Sequence, residues 1–254
     1  MPRHPLRRPA ARRASAPPRV LPTTWLPDLT TARFAYTGLQ LDLLFYLIST
    51  LEADAASLAV ELWIGGLSAA AAKKHNHSYV AAAAAALVAQ PLTIRNQQGQ
   101  YRPVRLFDRI RSLPGQGVLQ IKLARAGVPY LLELHDLIPA ASLRAFMQLS
   151  SKYTKRIYAL CGRYKAKGRT PTFPVADFKQ LLGLLDEQGH EKQRDFTSFR
   201  RHVLEAAVAQ INATTDLRID CLMEKQGRTV SYLTFTVKPQ ALPVPLPVAD
   251  LDAA

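Results

Sequence analysis

Cysteine is scarce: Cys161 and Cys221 are the only two in 254 residues. That is too few for a zinc ribbon, and no C-x-x-C spacing is present. Each falls in an apolar pattern, Cys161 helical and Cys221 strand-like, so both are expected to pack as small hydrophobes. This usage suits a reducing cytoplasm. Uncharged apolar runs near 18 residues are missing too, so no membrane span is expected. The phosphate-loop pattern G-x-x-x-x-G-K-[ST] is absent, which argues against ATP-driven work. No Ser/His/Asp or paired-carboxylate arrangement stands out, and no cofactor or metal is expected. Acidic residues are few as well, with 19 Asp and Glu against 33 Lys and Arg, a net charge of +14.

The positive charge is unevenly placed. Residues 1–24 hold six Arg and no acid; residues 25–144 hold 11 basic and 8 acidic residues, and residues 145–238 hold 16 and 9. Six prolines between Pro2 and Pro22, with no apolar core segment, argue against a targeting helix. Residues 1–24 are therefore expected to be a disordered basic arm. Apolar residues make up 48% of the chain, which excludes wholesale disorder beyond that arm.

From Trp25 onward the pattern reads as two halves, 25–140 and 145–238, with a flexible tail at 239–254. In the first half, Leu43, Leu44, Leu47, Ile48 and Leu51 form a helical stripe. A strand follows at Leu58 to Ile64, broken by Gly65-Gly66. Helices are expected at Leu67 to Lys74 and Asn76 to Val88, the latter with six alanines from Ala81. Strands are expected at 92–95, 101–106, 118–123 and 130–134. Residues 137–148 connect the halves.

The second half opens with a helix over 149–164 that places Leu149, Tyr153, Ile157, Leu160, Cys161 and Tyr164 on one face. Lys152, Lys155, Arg156 and Arg163 fall mostly off it. A helix from Pro174 to Leu185 follows, then a third from Phe196 to Asn212 with Asp195 as N-cap. Two alternating strands, 217–222 and 229–237, meet at Lys225-Gln-Gly-Arg228. Three helices and a hairpin with a basic tip form a winged helix, whose third helix enters the major groove. The fold class expected is α+β, two tandem winged-helix domains, and double-stranded DNA is the expected partner.

Base readout needs side chains near the start of that third helix. Phe199, Val203, Ala207 and Ile211 recur at core spacing, which turns Thr197, Ser198, Arg200 and Arg201 outward. Arg pairs bidentately with guanine, so Arg200 or Arg201 is the expected base reader. Lys225 and Arg228 flank the wing tip and Lys152, Lys155 and Arg156 front the domain's first helix, positions suited to phosphate contacts. A solvated helix face or a hairpin tip that is basic for solubility would show the same residues. In the first half the corresponding turn holds Lys73, Lys74, His75, Asn76, His77 and Ser78.

The second half resembles the plasmid replication initiator proteins built from two tandem winged-helix domains that bind repeated origin sequences, the iterons. The resemblance rests on Leu149-Ser-Ser-Lys-Tyr-Thr-Lys-Arg-Ile-Tyr158, Phe178-Lys-Gln-Leu-Leu-Gly-Leu184, and Phe199-Arg-Arg-His-Val-Leu-Glu-Ala-Ala-Val-Ala-Gln-Ile-Asn212. Thr214-Thr-Asp-Leu-Arg-Ile219 and Leu233-Thr-Phe-Thr-Val237 follow in order. Gly127-Val-Pro-Tyr-Leu-Leu-Glu-Leu134 is similar to the family's passage between the domains. The resemblance implies iteron binding as a monomer, origin opening, recruitment of the host replication initiator and helicase machinery, and autorepression as a dimer. A winged-helix repressor without an initiator role is the alternative. A rolling-circle nickase is the other, since His75-Asn-His77 superficially offers a metal pair. Its polar middle residue and lack of a nearby carboxylate speak against it.

Overall fold

The computed structural model describes residues 30–51, 58–95, 100–113, 115–137, 140–185 and 195–242. The arm expected at 1–24 lies outside them, as do residues 243–254 of the tail expected at 239–254. Within that tail Pro239 instead ends the last strand, and the Gln240 side chain donates to the carbonyls of Asn212 and Thr215. Helix α1 (Gly38–Thr50) starts with a reciprocal cap: the Thr37 hydroxyl accepts from the Gln40 N–H, and the Gln40 side chain accepts from the Thr37 N–H at 2.8 Å. Its leucine-rich sequence then buries Leu41, Leu44, Leu47 and Ile48. Strand β1 (Ala59–Trp63) runs into α2 (Ile64–Ala70), and α3 (His77–Ala89) follows after a turn. The strand ends at Trp63, just before Gly65-Gly66 as expected, but both glycines lie inside α2, which begins three residues before the expected Leu67. A Cβ at Gly66 would meet the Tyr46 hydroxyl of α1, so the bare glycine lets that tyrosine lie against α2. The helix also ends at Ala70, short of Lys74.

A hairpin of β2 (Leu92–Arg95) and β3 (Tyr101–Val104) is bridged through Thr93 to Arg33. Strands β4 (Phe107–Leu113) and β5 (Val118–Leu123) then join β1 in an antiparallel sheet of order β1-β5-β4. Along β5, Leu119, Ile121 and Leu123 point into the core, while Gln120 and Lys122 point out. The strand expected at 130–134 is instead part of helix α4 (Val128–Leu137). Pro129 suits a first helical turn, and Leu131 and Leu134 bury at helical spacing. The connection at 137–148 contains a further helix, α5 (Ala140–Gln148), whose Phe146 stacks on Phe45 of α1 at 3.8 Å.

The second domain comprises α6 (Lys152–Arg163), β6 (Phe173–Pro174), α7 (Val175–Leu181), a long helical rod, and the hairpin β7 (Leu217–Gln226) with β8 (Thr229–Pro239). Its sheet order is β6-β8-β7, and Phe173, Phe178 and Phe235 cluster at its centre. Helix α7 ends four residues before the expected Leu185, and Pro174 is its N-cap. The rod runs as α8 (Phe196–Phe199), a π segment (Arg200–Glu205) and α9 (Ala206–Thr214).

Helix α6 corrects the sequence reading most. Every residue from Thr154 to Cys161 is buried, so the helix has no solvent face along that stretch. The second-domain core covers one side, and α1 with the chain before it covers the other. A helix buried all round joins two cores rather than bounding one.

Candidate nucleic-acid interface

The rod begins with Asp195, whose carboxylate accepts from the N–H groups of Thr197 and Ser198. Phe199, Val203, Ala207 and Ile211 are buried, as their spacing predicts. Leu204 is also fully buried, which a regular 3.6-residue period starting from Phe199 does not require. The π segment explains it: one extra residue per turn lets adjacent Val203 and Leu204 both reach the core. Thr197, Arg200, Arg201, His202 and Glu205 are left exposed, and Ser198 half-buried beside His202. Thr197, Ser198, Arg200 and Arg201 thus gather at one end of the rod, as expected.

The wing projects from the same domain. Lys225, Gln226, Gly227 and Arg228 are all exposed, and a β-bulge between Glu224 and Lys225 precedes the tip. Gly227 has a φ of 66°, the left-handed value that a two-residue hairpin turn demands at its first position. Lys225 and Arg228 therefore flank a sharp, solvent-facing turn.

Lys155 and Arg156 are not on this surface. They are 2% and 5% exposed, which corrects the expectation that they hold a DNA backbone. Lys155 Nζ donates to the carbonyls of Phe146 and Met147 at the end of α5 and lies 2.7 Å from Asp42 Oδ1 of α1. The Arg156 guanidinium stacks 3.8 Å from the Phe34 ring centroid and donates to the carbonyls of Phe34 and Ala32. Burial pushes the Asp42 carboxyl above its ordinary range and pulls the Lys155 ammonium below its own. The two cations therefore clamp the first domain to α6. Lys152 remains half-buried at the front of α6, its Nζ 5.1 Å from the Tyr153 ring. Tyr153 packs partly against the core and Tyr158 is buried, so both are packing residues.

In the first domain the turn before α3 exposes Lys73, Lys74, Asn76, His77 and Ser78. The Asn76 side-chain oxygen is engaged as N-cap, accepting from Ser78 and Tyr79 N–H groups. His75 sits against Ser68 and His77 against Gly117 in the β4–β5 turn, so neither lies on a strand. Tyr79, 64% exposed in the first turn of α3, joins this surface and was missed in the sequence. It stands between Ser78 and Val80, and the alanine run from Ala81 gives no periodic contrast to mark its face. Further along α3 the exposed positions are Ala82, Ala85 and Ala89, which offer only methyl groups to a base edge. Side chains able to hydrogen-bond a base edge are thus confined to the first turn of this helix.

Residues 27–162 match the family model described as initiator replication protein, WH1, and residues 174–237 match initiator Rep protein, WH2. The first match runs through α6, the helix that both cores share. The PI protein of Escherichia coli is 27% identical over 157 residues, covering 57% of this chain and 51% of that protein. The chain thus spans about half the length of that curated relative. Among solved structures, the Pi initiator protein in complex with iteron DNA superposes with a TM-score of 0.59 at 21% identity, covering 82% of this chain and 97% of the other. Domains 2 and 3 of RctB superpose with a TM-score of 0.50 at 11% identity, over 80% of this chain and 82% of theirs. Both superpositions are likenesses of fold.

Proposed function

This chain belongs to the initiator replication protein family, and from that premise we propose that it initiates plasmid replication by binding duplex DNA at direct origin repeats. The observation that carries the reading is the second domain's exposed cluster of Thr197, Arg200 and Arg201 in a helix with a basic wing beside it. The Pi relative's complex with iteron DNA supports the same choice of ligand. The first domain adds a weaker contact through Lys73, Lys74, Ser78 and Tyr79, so the site is long and its binding strongly salt-dependent. Bound copies distort an adjacent A·T-rich segment, where unstacking costs least, and present a platform to the host initiator and helicase. As a dimer the protein represses its own gene. It acts by binding rather than by strand chemistry, on DNA in the bacterial cytoplasm. Among the described residues no helix is long and apolar enough to cross a membrane.

Footprinting of the full chain on DNA flanking its own gene, with magnesium present, tests this. Phased protection over direct repeats without nicks is the expected result. Protection of one palindrome alone would replace the initiator with a repressor, and a site-specific nick with protein attached would overturn the binding-only mechanism.

A further inference from the structure

The outward side of the second domain's third helix carries an acid among its cations. Glu205 is half exposed and accepts the Nε–H of Arg200 on Oε1 at 2.8 Å. In a regular α-helix, residues five apart point about 140° away from each other around the axis. Here Arg200–Glu205 spans the π segment, whose i→i+5 turn stacks the two on one side. The pairing therefore exists because of the π turn.

An acid at this position repels a polyanion, and an ion pair this exposed adds little to folding. Its consequence is geometric. With Nε–H held by Glu205, the guanidinium plane is fixed, and among the described residues both terminal nitrogens remain as a free fork. Two parallel N–H donors in one plane match the O6 and N7 acceptors of guanine. Arg201 beside it is exposed and makes no ion pair among the described residues. It is free to follow a phosphate.

We infer that Glu205 is a positioning residue that aims Arg200 at one guanine of the bound site, while Arg201 takes the backbone. This rests on the DNA-binding reading above and names the base reader that the sequence left open between two arginines.

The test is competition binding of the full chain against every single base-pair change in its footprinted repeat. Arg200→Ala should erase discrimination at one G·C pair by about tenfold or more. Glu205→Ala should erase it at the same pair and raise affinity for random DNA, since a repelling charge is gone. Glu205→Gln keeps an acceptor for Nε–H and should retain the preference. Arg201→Ala should weaken all sequences alike. Thermal unfolding should be unchanged in each variant, which separates aiming from folding. Loss at different base pairs for Arg200→Ala and Glu205→Ala, or no base-specific change in Glu205→Ala, overturns the inference alone. Wild-type protein that binds every sequence equally overturns the initiator reading and the inference with it.

Discussion

Asp216 shows how much of the second domain hangs on single polar groups. It sits at the corner between α9 and β7, where its Oδ1 accepts from the Tyr158 hydroxyl at 2.6 Å and its Oδ2 from Lys165 at 2.8 Å. Burial alone would push its carboxyl up, but the hydrogen bonds from Lys165 and Tyr158 outweigh that and hold it below its ordinary 3.8. A depressed carboxylate contributes stability that is complete above the unfolded value and is lost as pH falls through the folded one. The acid limb of stability should therefore steepen below pH 3.8. Asp216→Asn should lower stability at neutral pH and flatten that limb in urea melts run from pH 6 to pH 2. An acid limb identical in the variant and the wild type would show that the Asp216 contacts are not made in solution. Asp216 lies in the Thr214–Ile219 block that carries the family resemblance, but nothing in the sequence names its partners, one of which is 58 positions away.

At the scale of elements, the proposed DNA site is divided between the wing and the rod. Lys225 and Arg228 sit on a hairpin whose register is fixed by ten paired positions of β7 and β8. Its tip is exposed and has no apolar packing to give up, so replacing both cations should leave folding intact. Their double substitution by Ala should lower affinity about equally for specific and random DNA and flatten the salt slope by about two. A base-specific loss would instead place the wing among the base readers. Patterning alone located the hairpin, because the alternating stretches on either side of Gly227 mark two strands and the turn between them, although the bulge at Glu224–Lys225 left no mark in the pattern. It could not locate the π segment, since inserting one residue into a turn changes which side chains share a face without changing composition. Helix α4 was misread for a related reason: Tyr130 to Leu134 is short and apolar, and its period cannot separate a strand from a buried helix.

The whole molecule is held in one arrangement by α6. Its adjacent Lys155 and Arg156 reach different parts of the first domain, α1 through Asp42 and the approach to it through the carbonyls of Ala32 and Phe34. Desolvation opposes both charges of the Asp42–Lys155 pair, so the pair specifies geometry at some expense to stability. Removing one partner strands the other: Lys155→Met should destabilise the protein by about 3–5 kcal/mol in chemical denaturation. The same variant should also blur the outer edge of the footprint, because the first domain would no longer be held over one stretch of DNA. A loss below about 1 kcal/mol, in the range of an exposed pair, would show that the domains are not clamped this way in solution.

The two-domain winged-helix order, the basic tip of the wing and the exposed cluster on the third helix are legible in the chain of residues alone. Each of these follows from local periodicity, caps and turns acting within a few residues of one another. That Lys155 and Arg156 face inward emerges from the packed fold, because a cation off one apolar stripe looks solvated until a second core is packed over it. The fold also decided which arginine Glu205 holds, since that contact depends on a π turn rather than on spacing. Burial and pairing are properties of what lies across the interface, and no local pattern contains the other side.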